Sequence, residues 1–234
     1  MYKRILLKLS GEQLAGKFES GIDAELGHWL AGEVGRVVAS GTQVVIMVGG
    51  GNYARGAQLA GHGIGRVTAD NVGMLATMMN AIALADIFNA GDISARALTN
   101  IKADQVADQF THRRAISDLA KGHVVIVAGG IGRPYLTTDT AAVSLALELD
   151  CEAVLKATKV DGVYDKDPAK HKDAVKVDVM SFDEAVSNGA IQVMDKAALG
   201  LAMEHKLPIV VFNALTEGSI GQVASGEAVG TRIS

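Results

Sequence analysis

Three glycine-containing segments occur where the sequence could bind phosphate groups. They are Ser10-Gly11, Gly49-Gly50-Gly51-Asn52 and Gly129-Gly130-Ile131-Gly132, and each directly follows a short apolar run. Backbone without side chains lets phosphate oxygens approach N–H groups closely, often with a helix N-terminus behind them. One such segment is typical of a tight turn between a strand and a helix, whereas three of them together favour a ligand site.

Cationic side chains accompany these glycines. Lys8 lies inside the first apolar run, where a lysine is costly to bury unless it meets an anion. Arg55 follows the triple glycine and could grip a phosphate with two hydrogen bonds. Lys156 ends another apolar run, and the acidic loop 161–168 follows it. Cations beside phosphate-shaped loops, with carboxylates near enough to order lysines or magnesium, indicate phosphoryl transfer.

Two common nucleotide-binding patterns are absent. Residues 11–18 read G-x-x-x-x-G-K but end in Phe18, where a P-loop needs Ser or Thr to hold magnesium. We also expect no helix to begin there, because the helical pattern starts only after Asp23. No G-x-G-x-x-G follows a predicted strand, and the six histidines show no metal-ligand spacing. The sequence therefore argues against a P-loop enzyme and against a dinucleotide-binding fold.

Short apolar runs alternate with helical patterns along the chain. Strands are predicted over residues 4–9, 43–48, 93–98, 123–128, 153–156 and 209–212. The runs are almost continuously apolar, which is typical of parallel strands covered on both faces. The pattern predicts an α/β fold, a three-layer α/β/α sandwich around a mostly parallel sheet. In such sheets ligands bind at the carboxyl ends of the strands, where the three glycine segments would lie.

Four longer helices are predicted from caps and apolar spacing. Asp23 would begin a helix ending at Gly41, and Thr68 or Asp70 would begin a long helix stopping near Gly91. Asp139 would cap a helix over 140–149, and Asp195 one over 196–205. The long helix is predicted to bury one set of its apolar side chains: Leu75, Met78, Met79 and Ile82.

Composition excludes several classes of protein. The chain has 234 residues, of which 27 are glycine and 3 are proline, and 49% are hydrophobic, so the glycines belong to a packed protein. A net charge of −4 argues against a nucleic-acid binder. A lone cysteine, Cys151, fits a reducing compartment and is best read as a small buried side chain. The most apolar window, 72–88, contains Asn80 and Asp86 and is expected to fall short of a membrane span.

Strings of residues spread along the chain resemble the bacterial uridylate kinases, a family within the amino acid kinase superfamily. The matching residues are 3–12, 48–52, 55–56, 66–70, 73–77, 134–139, 155–164, 193–195 and 208–213. The string Lys-Ala-Thr-Lys-Val-Asp-Gly-Val-Tyr at 156–164 is the most specific of them. The resemblance implies one amino acid kinase domain over 1–234, softly divided near residue 120 into an acceptor-side half and an ATP-side half.

The resemblance also implies an activity and a set of site residues. The γ-phosphoryl group of ATP would pass to UMP, giving UDP, with Mg²⁺ held mainly through the nucleotide phosphates. The catalytic residues would be Lys8, Arg55, Asp139 and Asp195, the two aspartates orienting the lysine or the metal. ATP would be bound by Lys8, Ser10, Gly11, Gly51, Arg55, Thr158, Tyr164 and Asp167. UMP would be bound by Gly50, Asp70, Gly132, Arg133, Pro134, Tyr135, Leu136, Thr137 and Thr138, with Asp70 on the ribose hydroxyls.

Further expectations follow from the family alone. Its members are typically cytoplasmic homohexamers of pyrimidine nucleotide biosynthesis, activated by GTP and inhibited by UTP, with no nucleic-acid or membrane partner. Arg133 and Leu136 depart from the common pattern, which has Asn before the proline and two aromatic residues after it. The segments 17–21 and 100–111 also depart from it, and regulation and subunit contacts are expected to vary there.

Two alternatives stay open at this level. A sibling kinase of the same superfamily could phosphorylate a carboxylate or a carbamate, and the glycine segments alone do not exclude it. A non-catalytic nucleotide or oxyanion binder could also use the same fold. Asp70 and the 134–139 string favour a nucleotide acceptor over the first alternative, and the set Lys8, Arg55, Asp139 and Asp195 argues against the second.

Overall fold

A parallel sheet organises the protein. The computed structural model describes residues 1–54, 59, 61, 63–166, 170–187 and 194–234. Within these residues nine strands form one sheet in the order β4-β3-β5-β2-β1-β6-β10-β11-β9, and all neighbours are parallel except β10 and β11. The strands of this sheet are β1 (Arg4–Leu9), β2 (Gln43–Val48), β3 (Ala95–Thr99), β4 (Asp108–Gln109), β5 (Val124–Ala128), β6 (Ala153–Thr158), β9 (Val179–Met180), β10 (Ile209–Asn213) and β11 (Thr231–Ile233). A separate antiparallel pair joins β7 (Val163–Tyr164) and β8 (Lys176–Val177).

Helices cover both faces of the sheet, which confirms the predicted three-layer sandwich. The helices of the described residues are α1 (Gly11–Leu14), α2 (Ala24–Ala39), α3 (Arg66–Ala90), α4 (His112–Ala120), α5 (Thr138–Glu148), α6 (Phe182–Ser187), α7 (Lys196–His205) and α8 (Ser219–Ser225). One buried apolar cluster joins the sheet to α2, α3 and α8, and a second joins its other face to α4, α5, α6 and α7. Side chains of the central strands are buried on both faces, as in β1, where Ile5, Leu6 and Leu7 are fully buried.

Several sequence predictions of helix ends are corrected by the structure. A one-turn helix, α1, does begin at Gly11, where none was expected. The cap of α5 is Thr137, whose hydroxyl accepts the N–H groups of Asp139 and Thr140, so Asp139 is not the capping residue. By contrast, Asp23 and Asp195 cap α2 and α7 as predicted.

Helix α3 differs from its prediction in two respects. It begins at Arg66, one turn earlier than expected, and of the four side chains predicted to face inward only Met78 is buried. The exposed fractions of the others are 52% for Leu75, 51% for Met79 and 36% for Ile82. The helix is also long and apolar enough to cross a membrane by length and composition, contrary to the expectation above. Half of its most apolar stretch is buried inside the fold, however, as in the core helix of a soluble protein.

Cys151 is buried, as its composition-based interpretation predicted. Burial raises the pKa of its thiol to about 12. A thiol that stays protonated at neutral pH is a poor nucleophile, so this residue belongs to the packing.

Candidate active site

Two lysines and one aspartate meet at the carboxyl ends of adjacent central strands. Lys8 of β1 and Lys156 of β6 are direct neighbours in the parallel register. Their ammonium groups each lie 2.7 Å from a different carboxylate oxygen of Asp139, Lys8 from Oδ1 and Lys156 from Oδ2. All three side chains are 10–14% exposed. One carboxylate neutralises only one of two ammonium groups, so the cluster keeps an excess positive charge suited to a phosphate.

The pKa values of this cluster follow from its burial and charges. Burial alone would raise the pKa of the Asp139 carboxyl, but Lys8 and Lys156 together outweigh it and hold the pKa below its ordinary value. Burial also lowers the pKa of the Lys156 ammonium, and the positive charge of Lys8 acts in the same direction, against the attraction of Asp139. Asp139 is therefore ionised at neutral pH and holds the two lysines in place.

The local sequence explains how Asp139 comes to face the lysines. Because Thr137 caps α5, Asp139 lies in the first turn of the helix, where a carboxylate is stabilised by the helix dipole. Its side chain is not needed for capping and pairs with Lys8 and Lys156. The N-terminus of α5 thus places one carboxylate between the lysines of β1 and β6.

Asp195 has a different place in the site. Its carboxylate accepts the hydroxyl of Thr140 at 2.9 and 3.0 Å, the hydroxyl of Thr137, and the N–H of Ala198 at 2.9 Å. These contacts tie the start of α7 to the start of α5, one turn from Asp139. In this arrangement Asp195 supports the helix that carries Asp139, and neither lysine is among these partners.

The two N-terminal glycine segments pack against each other. A Cβ at Gly11 would lie 2.6 Å from the N atom of Gly51 and 2.8 Å from the O atom of Gly49, so only glycine allows this approach. A Cβ at Gly50 would lie 2.7 Å from the O atom of Gly73 on α3. The segments after β1 and β2 therefore form one continuous backbone surface beside Lys8.

Polar side chains on α3 hold the glycine segments in position. Asn80 is fully buried, donates to the carbonyl of Gly49 at 2.7 Å, and exchanges two hydrogen bonds with the side chain of Asn52. Thr77, one turn earlier, accepts the N–H of Gly129 at 2.7 Å. The same helix therefore fixes the loops after both β2 and β5.

An open cleft next to these loops gathers much of the predicted acceptor site. Five of the residues assigned to UMP line it: Gly50, Asp70, Arg133, Leu136 and Thr138. Gly73, Met74 and Thr77 of α3, together with Ala54 and Gly130, complete its wall. The remaining predicted acceptor residues, Gly132, Pro134, Tyr135 and Thr137, belong to the loop between β5 and α5 that contributes Arg133 and Leu136.

The predicted ATP residues are only partly brought together. Lys8, Ser10, Gly11 and Gly51 adjoin at the ends of β1 and β2, as described above. Thr158 ends β6, two residues beyond Lys156, and its hydroxyl donates to the carbonyls of Val160 and Phe212. The hydroxyl of Tyr164 donates to Asp161 at 2.7 Å. Arg55 and Asp167 lie outside the described residues.

Residues outside the predicted catalytic set also build the site, namely Lys156, Asn52, Thr77 and Asn80. In the sequence these four residues share one feature: each is a polar residue inside or directly after an apolar segment. Such a residue is costly to bury unless a specific partner awaits it. The partner itself, which decides the role, comes from a distant part of the chain.

The described residues do not form a set of side chains that would bind Mg²⁺ without a nucleotide. They contain no group of three or more His, Cys, Asp or Glu side chains arranged to hold a metal ion. The carboxylate of Asp139 is engaged by two lysines, and that of Asp195 by two hydroxyls and an N–H group. This donor set fits a cation that arrives with nucleotide phosphates better than one held by side chains.

Comparison with known proteins gives a consistent picture. The model of the amino acid kinase family matches residues 3–213. The crystal structure of UMP kinase from Bacillus anthracis is 38% identical in sequence, with a TM-score of 0.94 over 99% of this chain and 96% of that one. The UMP kinase of Ureaplasma parvum is 31% identical, with a TM-score of 0.92 over 100% of this chain and 99% of that one. The uridylate kinase of Archaeoglobus fulgidus is 27% identical, with a TM-score of 0.74 over 98% and 99%.

Proposed function

Because the chain belongs to the amino acid kinase family, we propose that it transfers the γ-phosphoryl group of ATP to UMP, giving ADP and UDP. The chain is a phosphotransferase of the kinase class. The observation that carries the proposal is the Lys8–Asp139–Lys156 cluster beside two glycine segments. Relatives of similar fold and over 30% identity are UMP kinases, which supports UMP as the acceptor.

The reaction needs charge neutralisation more than a strong base. A phosphate oxygen of UMP forms the new bond to the γ-phosphorus while the bond to the oxygen bridging it to the β-phosphorus breaks, and ADP leaves. Lys8 and Lys156, held by Asp139, neutralise the charge on the transferred group, and Arg55 adds a third cation. Mg²⁺ bound by the nucleotide phosphates would add further positive charge.

The strand order suggests how the two nucleotides are arranged. β1 lies between β2 and β6, so β2, β3, β4 and β5 lie on one side of it and β6, β9, β10 and β11 lie on the other. We place UMP on the side of β2 and β5, in the cleft of Asp70 and Arg133, and ATP on the side of β6, near Thr158, Tyr164 and Asp167. Asp195 then acts as a positioning residue for α5.

A coupled assay of ADP release tests the function against its alternatives. With ATP and Mg²⁺ we expect UMP to give the highest kcat/KM among UMP, CMP, acetylglutamate and carbamate. A preference for acetylglutamate or carbamate would make the protein a sibling carboxylate or carbamate kinase. Binding of ATP and UMP with no turnover of any acceptor would make it a non-catalytic binder.

We propose a homohexamer in which α3 forms a subunit contact. Its outward face carries Val72, Leu75, Met79 and Ile82, with exposed fractions of 36–52%. Their spacing of three, four and three residues forms one apolar stripe, which suits the same helix of a second copy across a two-fold axis.

Charged substitutions in this stripe are predicted to lower the mass of the oligomer. Leu75→Glu with Met79→Glu is expected to break this contact, because four glutamates would face one another across the axis, and native mass spectrometry should detect species smaller than the wild type. The control is Met203→Glu, which places one glutamate at an exposed methionine of α7, outside the stripe. A double variant with the wild-type mass would refute the contact.

Regulation and cellular role complete the proposal. We propose that the enzyme is activated by GTP and inhibited by UTP. We also propose that it acts in pyrimidine nucleotide biosynthesis in the cytoplasm. Neither nucleic acid nor a membrane is proposed as a partner. Titrating GTP and UTP into the UMP assay tests the two effectors directly.

A further inference from the structure

Three residues form a clasp beside the acceptor cleft, and one of them, Asp70, lines it. Arg66 is the first residue of α3, Asp70 lies one turn later, and Tyr135 belongs to the loop between β5 and α5. Arg66 Nε donates to Asp70 Oδ1 at 2.9 Å and to Oδ2 at 2.8 Å, and the N–H of Tyr135 donates to Oδ2 at 2.8 Å. The guanidinium of Arg66 also lies over the ring of Tyr135, 5.2 Å from its centroid.

The clasp differs from an ordinary surface ion pair. The side chain of Asp70 is only 15% exposed and lines the cleft, whereas that of Arg66 is 49% exposed. Tyr135 has a φ of +67°, a left-handed conformation that disfavours any side chain and persists only where surrounding contacts hold it. Asp70 and Arg66 provide two such contacts, one to its backbone and one to its ring.

The hydrogen bonds leave Asp70 with one oxygen less occupied than the other. An ionised carboxylate has about four acceptor positions. Oδ2 accepts both Arg66 and Tyr135, while Oδ1 accepts only Arg66 in the contacts above. Fixing the carboxylate in this way leaves acceptor capacity on Oδ1 for a hydroxyl group of a bound ligand.

We propose that Arg66 is a positioning residue that, through Asp70, sets the preference of the cleft for an acceptor with an intact ribose diol. This inference rests on the proposed function, because it takes UMP as the acceptor. Without Arg66 the carboxylate rotates and binds water, and Tyr135 loses the cation over its ring. Lys8, Asp139 and Lys156 do not contact Arg66 in the bonds described, so the chemical step is unaffected.

The test compares UMP with 2′-deoxy-UMP as acceptors in the ADP-release assay. Arg66→Met keeps an unbranched apolar stem but removes the donor and the charge. We expect the KM for UMP to rise about tenfold, as for the loss of one charge-assisted hydrogen bond, with kcat and the KM for ATP little changed. The ratio of kcat/KM between UMP and 2′-deoxy-UMP should fall by a similar factor. The matched control is Arg114→Met, which removes a 44%-exposed arginine of α4 that pairs with Asp108 of β4, and it should change neither value.

A double-mutant cycle separates positioning from direct binding. If Arg66 acts through Asp70, adding Arg66→Met to Asp70→Asn should cause little further loss. An unchanged KM and acceptor ratio in Arg66→Met, or fully additive effects of the two substitutions, would overturn the proposal. A wild-type protein that does not phosphorylate UMP would overturn the proposed function first and this inference with it, so the two failures are distinguishable.

Discussion

Replacing Lys8 with methionine is expected to lower kcat by about 100- to 1,000-fold, the usual effect of removing one preorganised donor from a transition state. The protein should nevertheless fold, because the buried carboxylate of Asp139 keeps Lys156 as its partner at 2.7 Å. Methionine also fills most of the space of the lysine stem, which is buried beside the other side chains of β1. Steady-state kinetics with ATP and UMP, together with a thermal unfolding curve, measure both expectations.

Two further variants sharpen this test. Lys156→Met should also lower kcat strongly, because Lys156 flanks the same carboxylate as Lys8. Lys121→Met removes an exposed lysine that approaches Asp118 only at 4.0 Å, and should leave kcat unchanged. Near-normal turnover by the Lys8 variant would show that the lysine has a structural role only.

Asp139→Asn is expected to cause the largest loss of stability among these substitutions. It leaves two largely buried ammonium groups side by side without a carboxylate, and breaking a buried ion pair in this way costs about 3–5 kcal/mol. Turnover should fall as well, because neither lysine is then held at its site. Chemical denaturation at neutral pH measures the free energy of unfolding of both proteins.

The stability difference should also depend on pH. Burial raises the pKa of Asp139, but the two lysines outweigh it, so the pKa in the folded protein is below the ordinary value. A carboxylate with a lowered pKa stabilises the fold above its unfolded pKa of about 4, and this contribution is lost as the pH falls through the folded value. The gap between wild type and Asp139→Asn should therefore be full at neutral pH and narrow below about pH 4.

An exposed ion pair of similar length provides the control. Lys166 and Asp173 are 2.6 Å apart, but the side chain of Asp173 is 78% exposed. Asp173→Asn should change stability little, because water screens the pair. If Asp139→Asn lowers the free energy of unfolding as little as Asp173→Asn does, or by the same amount at every pH, then Asp139 is not the stabilising partner of the two buried lysines.

The fold was largely predictable because its strands are simple in pattern. The predicted limits of β1 and β2 coincide with the observed ones, since continuous apolar runs bounded by polar residues have few alternatives. The short strands β4, β7, β8, β9 and β11 were not predicted. They have two or three residues each, and such pairings depend on neighbouring chain segments more than on local pattern.

The site was predictable as a set of residue types but not as a set of partners. Lys8 was singled out because a lysine inside an apolar strand needs an anion. The assignment of Asp139 as a helix cap was wrong, because Thr137, two residues earlier, provides the better-placed oxygen. The assumption that α3 buries Leu75 and Met79 was also wrong, since apolar spacing does not tell a core face from an exposed one.

The amino-acid pattern alone was enough to predict the layered α/β architecture, the position of the glycine segments at the ligand edge of the sheet, and the presence of cations suited to phosphate. These properties arise from local periodicity and from residue type. The pairing of Asp139 with Lys8 and Lys156, and that of Asp70 with Arg66 and Tyr135, became apparent from the three-dimensional fold alone. The physical reason is that a charged group becomes part of a site through its partner, and the fold brings these partners together across up to 131 residues of chain, from Lys8 to Asp139.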